Sequence, residues 1–162
     1  MYHLAQINIA RAIAPLDSPQ LTDFMVNLDR INQLAEQSPG FVWRLQSDEG
    51  DATSFTIFDD KTIPNLTVWK NIESLHHYVY KTDHIHIMKR RKEWFEPMQE
   101  AFLALWWIPA GHIPSLYEAQ LKLETLRKKG PTPDAFTFRK HFPAPDQVSE
   151  VGGKTLDGHC PA

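Results

Sequence analysis

Tyr2-His3-Leu4-Ala5-Gln6-Ile7-Asn8-Ile9-Ala10 sets Ala5, Ile7 and Ile9 on one side of an extended segment and Leu4, Gln6 and Asn8 on the other. The segment reads as a strand with one wholly apolar face and one face carrying two amides. The apolar face has to be covered, and the amides need hydrogen-bond partners, because an unpaired buried polar group costs roughly 2–7 kcal/mol on transfer scales. Asp17-Ser18-Pro19 then starts a helix, with proline at its first position. Leu21, Phe24, Met25, Leu28, Ile31, Leu34 and Ala35 recur at helical spacing until Pro39-Gly40. Phe41-Val42-Trp43-Arg44-Leu45-Gln46 follows as a second strand, with Phe41, Trp43 and Leu45 on one side and Val42, Arg44 and Gln46 on the other.

After a turn at Asp48-Glu49-Gly50-Asp51, residues 55–58 and 65–69 read as one interrupted strand or two short ones. Residues 72–98 are rich in helix formers and break at Lys81-Thr82-Asp83. The second helical piece places His84, Ile87, Met88, Arg91, Trp94, Phe95 and Met98 on one side. Residues 101–108 form a continuous apolar run, the pattern of a strand covered on both faces. Leu116 to Lys129 is amphipathic, with Leu116, Ala119, Leu123 and Leu126 inward, and Gly130-Pro131 ends it. Phe136-Thr137-Phe138 offers one more short strand.

Strand, helix, strand, strand, helices, strand is the split βαβ order of a ferredoxin-like α+β domain. It spans residues 1–142 with an accessory C-terminal helix at 115–129, and a polar, Pro- and Gly-containing tail occupies 143–162. A four-stranded antiparallel sheet with helices on one face leaves the other open, yet these strands carry large apolar residues on both sides. A second copy packed sheet to sheet would cover it, since two-fold dimers are the commonest homo-oligomers. The other solution is that the accessory helix folds back over its own sheet. In the dimeric arrangement, the polar strand positions lie on the sheet face away from the helices and line a shared cavity.

Composition narrows the partners. The 162 residues suit one domain, and 17 Lys+Arg against 20 Asp+Glu leave a formal charge of −3, too balanced for electrostatic binding of nucleic acid or an anionic membrane. The basic run Lys89-Arg90-Arg91-Lys92 is offset by Glu93 and Glu96. No segment has the apolar length of a membrane span, and the opening lacks the basic region and apolar run of a secretory leader. Cys160 has no internal disulfide partner, so the expected location is cytoplasmic. Gly152-Gly153-Lys154-Thr155 imitates the end of a phosphate-binding loop, but Val148 replaces the first glycine and no strand precedes it. No Cys or carboxylate spacing completes a metal site around His76, His77, His84, His86 or His112, so none is expected.

Leu66-Thr67-Val68-Trp69-Lys70-Asn71-Ile72-Glu73-Ser74-Leu75, followed by Thr82-Asp83-His84, resembles the strand-to-helix segment of the antibiotic-biosynthesis monooxygenase superfamily of dimeric α/β barrels. Most of the chain is also similar to a bacterial family of uncharacterised proteins within that fold. Ser38-Pro39-Gly40-Phe41-Val42-Trp43-Arg44-Leu45, Arg90-Arg91-Lys92-Glu93-Trp94-Phe95 and Leu105-Trp106-Trp107-Ile108-Pro109-Ala110-Gly111-His112 are among the matching runs. The resemblance implies the dimeric α/β barrel and a homodimer.

It also implies a chemistry in which no cofactor is needed: a base deprotonates an electron-rich aromatic compound, and the resulting anion reacts with dioxygen directly. His84, on an apolar helical face and at the position where the resemblance expects a histidine, is the candidate base. Asn8 and Arg44 would orient the small aromatic molecule and Arg91 would donate to its anion, while Trp69 and Trp107 would pack against its ring and His112 would line the cavity mouth. Haem is an alternative ligand, because haem-degrading relatives share the fold, although their axial histidine aligns near Met88 or Lys89. A non-catalytic binder of a hydrophobic small molecule and a dimerisation module without a ligand are the remaining readings.

Overall fold

The computed structural model describes residues 1–46, 59 and 61–147. The turn at 48–51, the strand at 55–58 and the motif at 152–155 with Cys160 lie outside the described residues.

Four strands, β1 (Tyr2–Arg11), β2 (Phe41–Arg44), β3 (Thr62–Trp69) and β4 (Leu103–Pro109), form one antiparallel sheet in the order β2-β3-β1-β4. With α1 (Thr22–Gln37) between β1 and β2, and α2 (Ile72–Lys81) and α3 (His84–Lys89) between β3 and β4, this is the ferredoxin-like α+β fold. A fourth helix, α4 (Leu116–Lys129), follows β4. Local chemistry sets the helix ends. Asn71 accepts a hydrogen bond from the Ser74 N–H at 2.8 Å to start α2, and Ser115 accepts from the Glu118 N–H at 3.1 Å to start α4. The proline start expected for the first helix is a separate turn, Pro19–Leu21, in which the Ser18 hydroxyl makes no capping bond.

The alternation of β1 divides the core. Ala5, Ile7 and Ile9 share a face with Leu66, Val68, Ala104, Trp106 and Ile108, and Ala119, Leu123 and Leu126 of α4 pack onto it. Within one chain that face is closed, with Ile7 and Ala5 at 0% and Leu66, Val68 and Trp106 at 1% exposure. The sheet face assigned to a second copy is therefore closed within the chain, with the accessory helix packed on β4 and β1 and Leu45, Met98 and Phe102 joining the same cluster. The opposite face carries Leu4, Gln6 and Asn8, and it looks toward α1, α2 and α3. This reverses the expected placement of the polar positions. Alternation separates two faces, and the right-handed crossovers from β1 to β2 and from β3 to β4 put α1, α2 and α3 on one of them, which leaves the other to α4. Ala119, Leu123 and Leu126 of α4 meet the fully apolar face, and the α1–α3 layer lies over the mixed one.

Three local departures from the sequence reading have physical causes. A bulge in β2 between Phe41 and Trp43 inserts one residue against β3, so Phe41 opposes Trp69 while Trp43 opposes Val68. Phe41 and Trp43 then fall in different core clusters, and Arg44, opposite Thr67, turns to the α1–α3 side. The helix expected to continue to Met98 ends at Lys89. A single turn at Arg91–Glu93 follows, and the chain then bridges Ala12 through Phe95, with the Ile13 N–H donating to the Trp94 carbonyl at 2.9 Å. Finally, the short strand offered at Phe136-Thr137-Phe138 is a single bridge, in which Phe136 pairs with the outer edge of β4 by two backbone hydrogen bonds to Leu105, each 2.8 Å, and blunts that edge.

Candidate functional site

Between the mixed sheet face and α1, α2 and α3 lies a cavity of about 220 Å³. It is a little smaller than pockets for drug-sized ligands, about 300–1,000 Å³. Its floor is Gln6, Asn8 and Ala10 of β1 with Ile63, Asn65 and Thr67 of β3. Leu28, Ile31, Asn32 and Ala35 of α1 form one wall, and Leu75, Tyr78, Val79 and Tyr80 of α2 another. His84, Ile87 and Met88 of α3 close the side with Arg91, Phe95 and Phe102.

His84 is held by its own helix junction. Its Nδ1 lies 3.3 Å from the Val79 carbonyl, and its ring is 4.8 Å from that of Tyr78. A carbonyl only accepts, so Nδ1 carries the proton in this contact and Nε2 keeps its lone pair. Burial pushes the His84 pKa below its usual value, and the bond to Val79 offsets part of that shift. The imidazole is therefore neutral at physiological pH, with one nitrogen able to take a proton. Tyr78 beside it is held in its phenol form, because burial raises its pKa while the Arg44 charge opposes the rise more weakly. The Tyr78 hydroxyl donates to the Ile31 carbonyl at 3.2 Å, tying α2 to α1.

Asn8 and Asn65 face each other across the β1–β3 register on the cavity floor. Arg44 reaches the cavity with its Nε donating to Glu36 Oε1 at 2.7 Å, so its guanidinium is oriented by a carboxylate. Arg91 stacks over the Phe102 ring at 4.4 Å and approaches that of Phe95 at 6.0 Å. The structure thus brings His84, Asn8, Arg44 and Arg91 around one cavity.

The other three candidates are placed elsewhere. Trp69 is fully buried on the same sheet face, beyond the end of the floor, stacked on Tyr78 with centroids 5.1 Å apart. Trp107 lies under the C-terminal segment, its indole N–H donating to the Phe142 carbonyl at 2.8 Å. His112 sits in the turn after β4, its Nε2 2.8 Å from Glu118 Oε2, and the other oxygen of Glu118 accepts from the Trp106 indole at 3.0 Å. It belongs to the α4 side of the sheet, opposite the cavity.

Asn32, Tyr78 and Tyr80 line the cavity without having been singled out in the sequence. Asn32 carried a signal. It follows Leu28 by four residues and precedes Ala35 by three, a polar residue within the inward stripe of α1. Among the described residues no three His, Cys, Asp or Glu side chains converge to hold a metal ion. No helix among them is long and apolar enough to cross a membrane.

Residues 3–151 match the family described as a domain of unknown function, DUF3291. No curated protein matches the sequence. Similar solved structures include SnoaB, a cofactor-independent oxygenase from Streptomyces nogalater. It is 12% identical, with 70% of this chain and 97% of that one covered and a TM-score of 0.46. The NE2512 protein of unknown function from Nitrosomonas europaea is 14% identical over 71% and 97%, with a TM-score of 0.46. A monooxygenase from the ActVA-Orf6 gene of Streptomyces coelicolor, solved with nanaomycin D, is 14% identical over 70% and 92%, with a TM-score of 0.39.

Proposed function

Starting from a chain that belongs to the DUF3291 family, matched over residues 3–151, we propose that it is a cofactor-independent enzyme of the monooxygenase type acting on a small aromatic molecule. The observation that carries this reading is a neutral histidine with a fixed, free Nε2 at the wall of a largely apolar cavity. His84 takes a proton from an acidic C–H or phenolic O–H of the bound ring. Asn8 and Arg44 orient the substrate, and Arg91 offers positive charge to the anion that forms. Trp69, through its stack on Tyr78, stiffens the wall behind the ring.

The anion gives electrons to dioxygen. For a ring methylene, one oxygen atom becomes the carbonyl oxygen and the other leaves as water with the two hydrogens, so one dioxygen is consumed per turnover. An apolar cavity favours both partners, since the flat ring and dioxygen leave water readily and the developing charge meets fixed donors. Haem fits this site poorly. A cavity of about 220 Å³ suits a ring system smaller than a tetrapyrrole.

An oxygen electrode tests the proposal with a panel of quinols and anthrones. Uptake above the uncatalysed rate with wild type, reduced about 100-fold or more in His84→Ala, is expected, within the usual range for a general base. Uptake that is equal with and without protein across the panel counts against the enzyme. Saturable ligand binding in that same case would leave the non-catalytic binder.

A further inference from the structure

A directed chain of hydrogen bonds crosses the cavity floor. The Trp69 indole N–H donates to Thr67 Oγ1 at 2.9 Å, and Thr67 Oγ1 donates to Gln6 Oε1 at 2.8 Å. Geometry makes the chain short. Thr67 stands opposite Gln6 in the β1–β3 register, and Trp69 is two residues farther along the same face. Its direction follows from chemistry. An indole can only donate, so the threonine oxygen accepts there and spends its single proton on the glutamine carbonyl. The amide of Gln6 is thereby fixed, with its oxygen turned to Thr67 and its –NH2 group left over.

Gln6 is 4% exposed and Thr67 4%, while Trp69 is wholly buried. The Gln6 amide nitrogen makes no hydrogen bond to any described residue, and Gln6 lines the cavity. A buried amide with both donors unspent is costly unless something in the cavity accepts them.

Resting on the cavity as the ligand site, we propose that Gln6 is a ligand-binding residue. Its –NH2 donates to an acceptor oxygen, a ketone, enolate or phenolate, on the bound ring, and Thr67 and Trp69 act as positioning residues. Chemistry then sets the preference. A ring bearing an acceptor oxygen satisfies Gln6, whereas a plain hydrocarbon ring of the same size leaves it unpaired. The selection is made by a side chain on the first strand, across the floor from His84.

The test compares two bicyclic probes that differ by one carbonyl, 1-tetralone and tetralin, by ligand-observed NMR titration of wild type, Thr67→Ser, Thr67→Val and Gln6→Leu. The preference for tetralone over tetralin is expected to fall roughly three- to tenfold in Gln6→Leu, the size of one hydrogen bond. Thr67→Val should lower it similarly, and Thr67→Ser should keep it. The Trp69 indole proton resonance should move upfield in Thr67→Val, where its acceptor is gone, and stay close to the wild-type position in Thr67→Ser. An unchanged preference in Gln6→Leu and Thr67→Val, with both probes still binding, would overturn the role of Gln6 and leave the cavity standing. Binding of neither probe to wild type would overturn the cavity reading and this inference together.

Discussion

His84 gathers most of the consequences that belong to single residues. Burial disfavours its imidazolium, so its pKa in the folded chain lies below the unfolded value of about 6.5. On acidification the unfolded chain takes up this proton first. The stability contributed by neutral His84 is therefore present above about pH 6.5 and lost as the pH falls from there through the folded value. Urea midpoints at pH 7.5 and 5.0 should show this loss, and His84→Gln should remove part of it. His76 preserves the rest, since burial and then Lys81 and His77 lower its pKa as well. An imidazole NMR titration of His84 with a midpoint above 6.5 would contradict the assignment. His84 was legible in the sequence because a histidine inside an apolar stripe is conspicuous. Tyr78 and Tyr80 were not, because an aromatic residue on an inward helix face looks the same whether it meets core or cavity.

At the scale of elements, turns and bulges decide what the strands present. Gly40 joins α1 to β2 with φ of +84°, its carbonyl accepts from the Lys70 N–H at 2.8 Å, and a Cβ there would collide with the Ser74 side chain. Gly40→Ala is expected to cost on the order of 1–3 kcal/mol, from the backbone conformation alone, in chemical unfolding. It should also disturb Arg44, four residues on, and so weaken ligand binding. A substitution neutral in both measurements would show that the junction yields. In the core, Leu123 of α4 is 1% exposed against the apolar sheet face, and Leu123→Ala should lower stability by about 2–5 kcal/mol. β1, β2, α1 and α4 could be read from periodicity, α2 from its run of helix formers and β4 from its continuous apolar run, while β3 begins at Thr62, three residues before the expected 65. The β2 bulge could not, because Phe41, Trp43 and Leu45 alternate without interruption and only the pairing with β3 shows the extra residue. The early end of α3 was equally hidden. Trp94 and Phe95 keep helical spacing, and their burial against Ala12, Ala14 and Leu21 is a long-range matter.

For the whole molecule, the sequence defined two sheet faces and left open what covers each. The polar positions of β1 were recognised as facing a cavity, and the side on which that cavity lies became visible only once α4 was seen on the other. Both faces being closed within one chain, folding requires no second copy to bury the sheet. Urea midpoints measured over a hundredfold range of protein concentration should then coincide. A midpoint that climbs with concentration would show that association contributes to stability, as in a homodimer.

The position of α4 in the chain also bears on how the protein is made. The four described strands precede it, so the sheet, with Ile7, Leu66, Val68 and Trp106 on its underside, emerges from a ribosome before the helix that packs on this face. During that interval the nascent chain carries a broad adhesive surface of the kind that chaperones hold and that aggregates grow from. Chains truncated at residue 114, which keep the sheet and lack α4, are expected in the insoluble fraction.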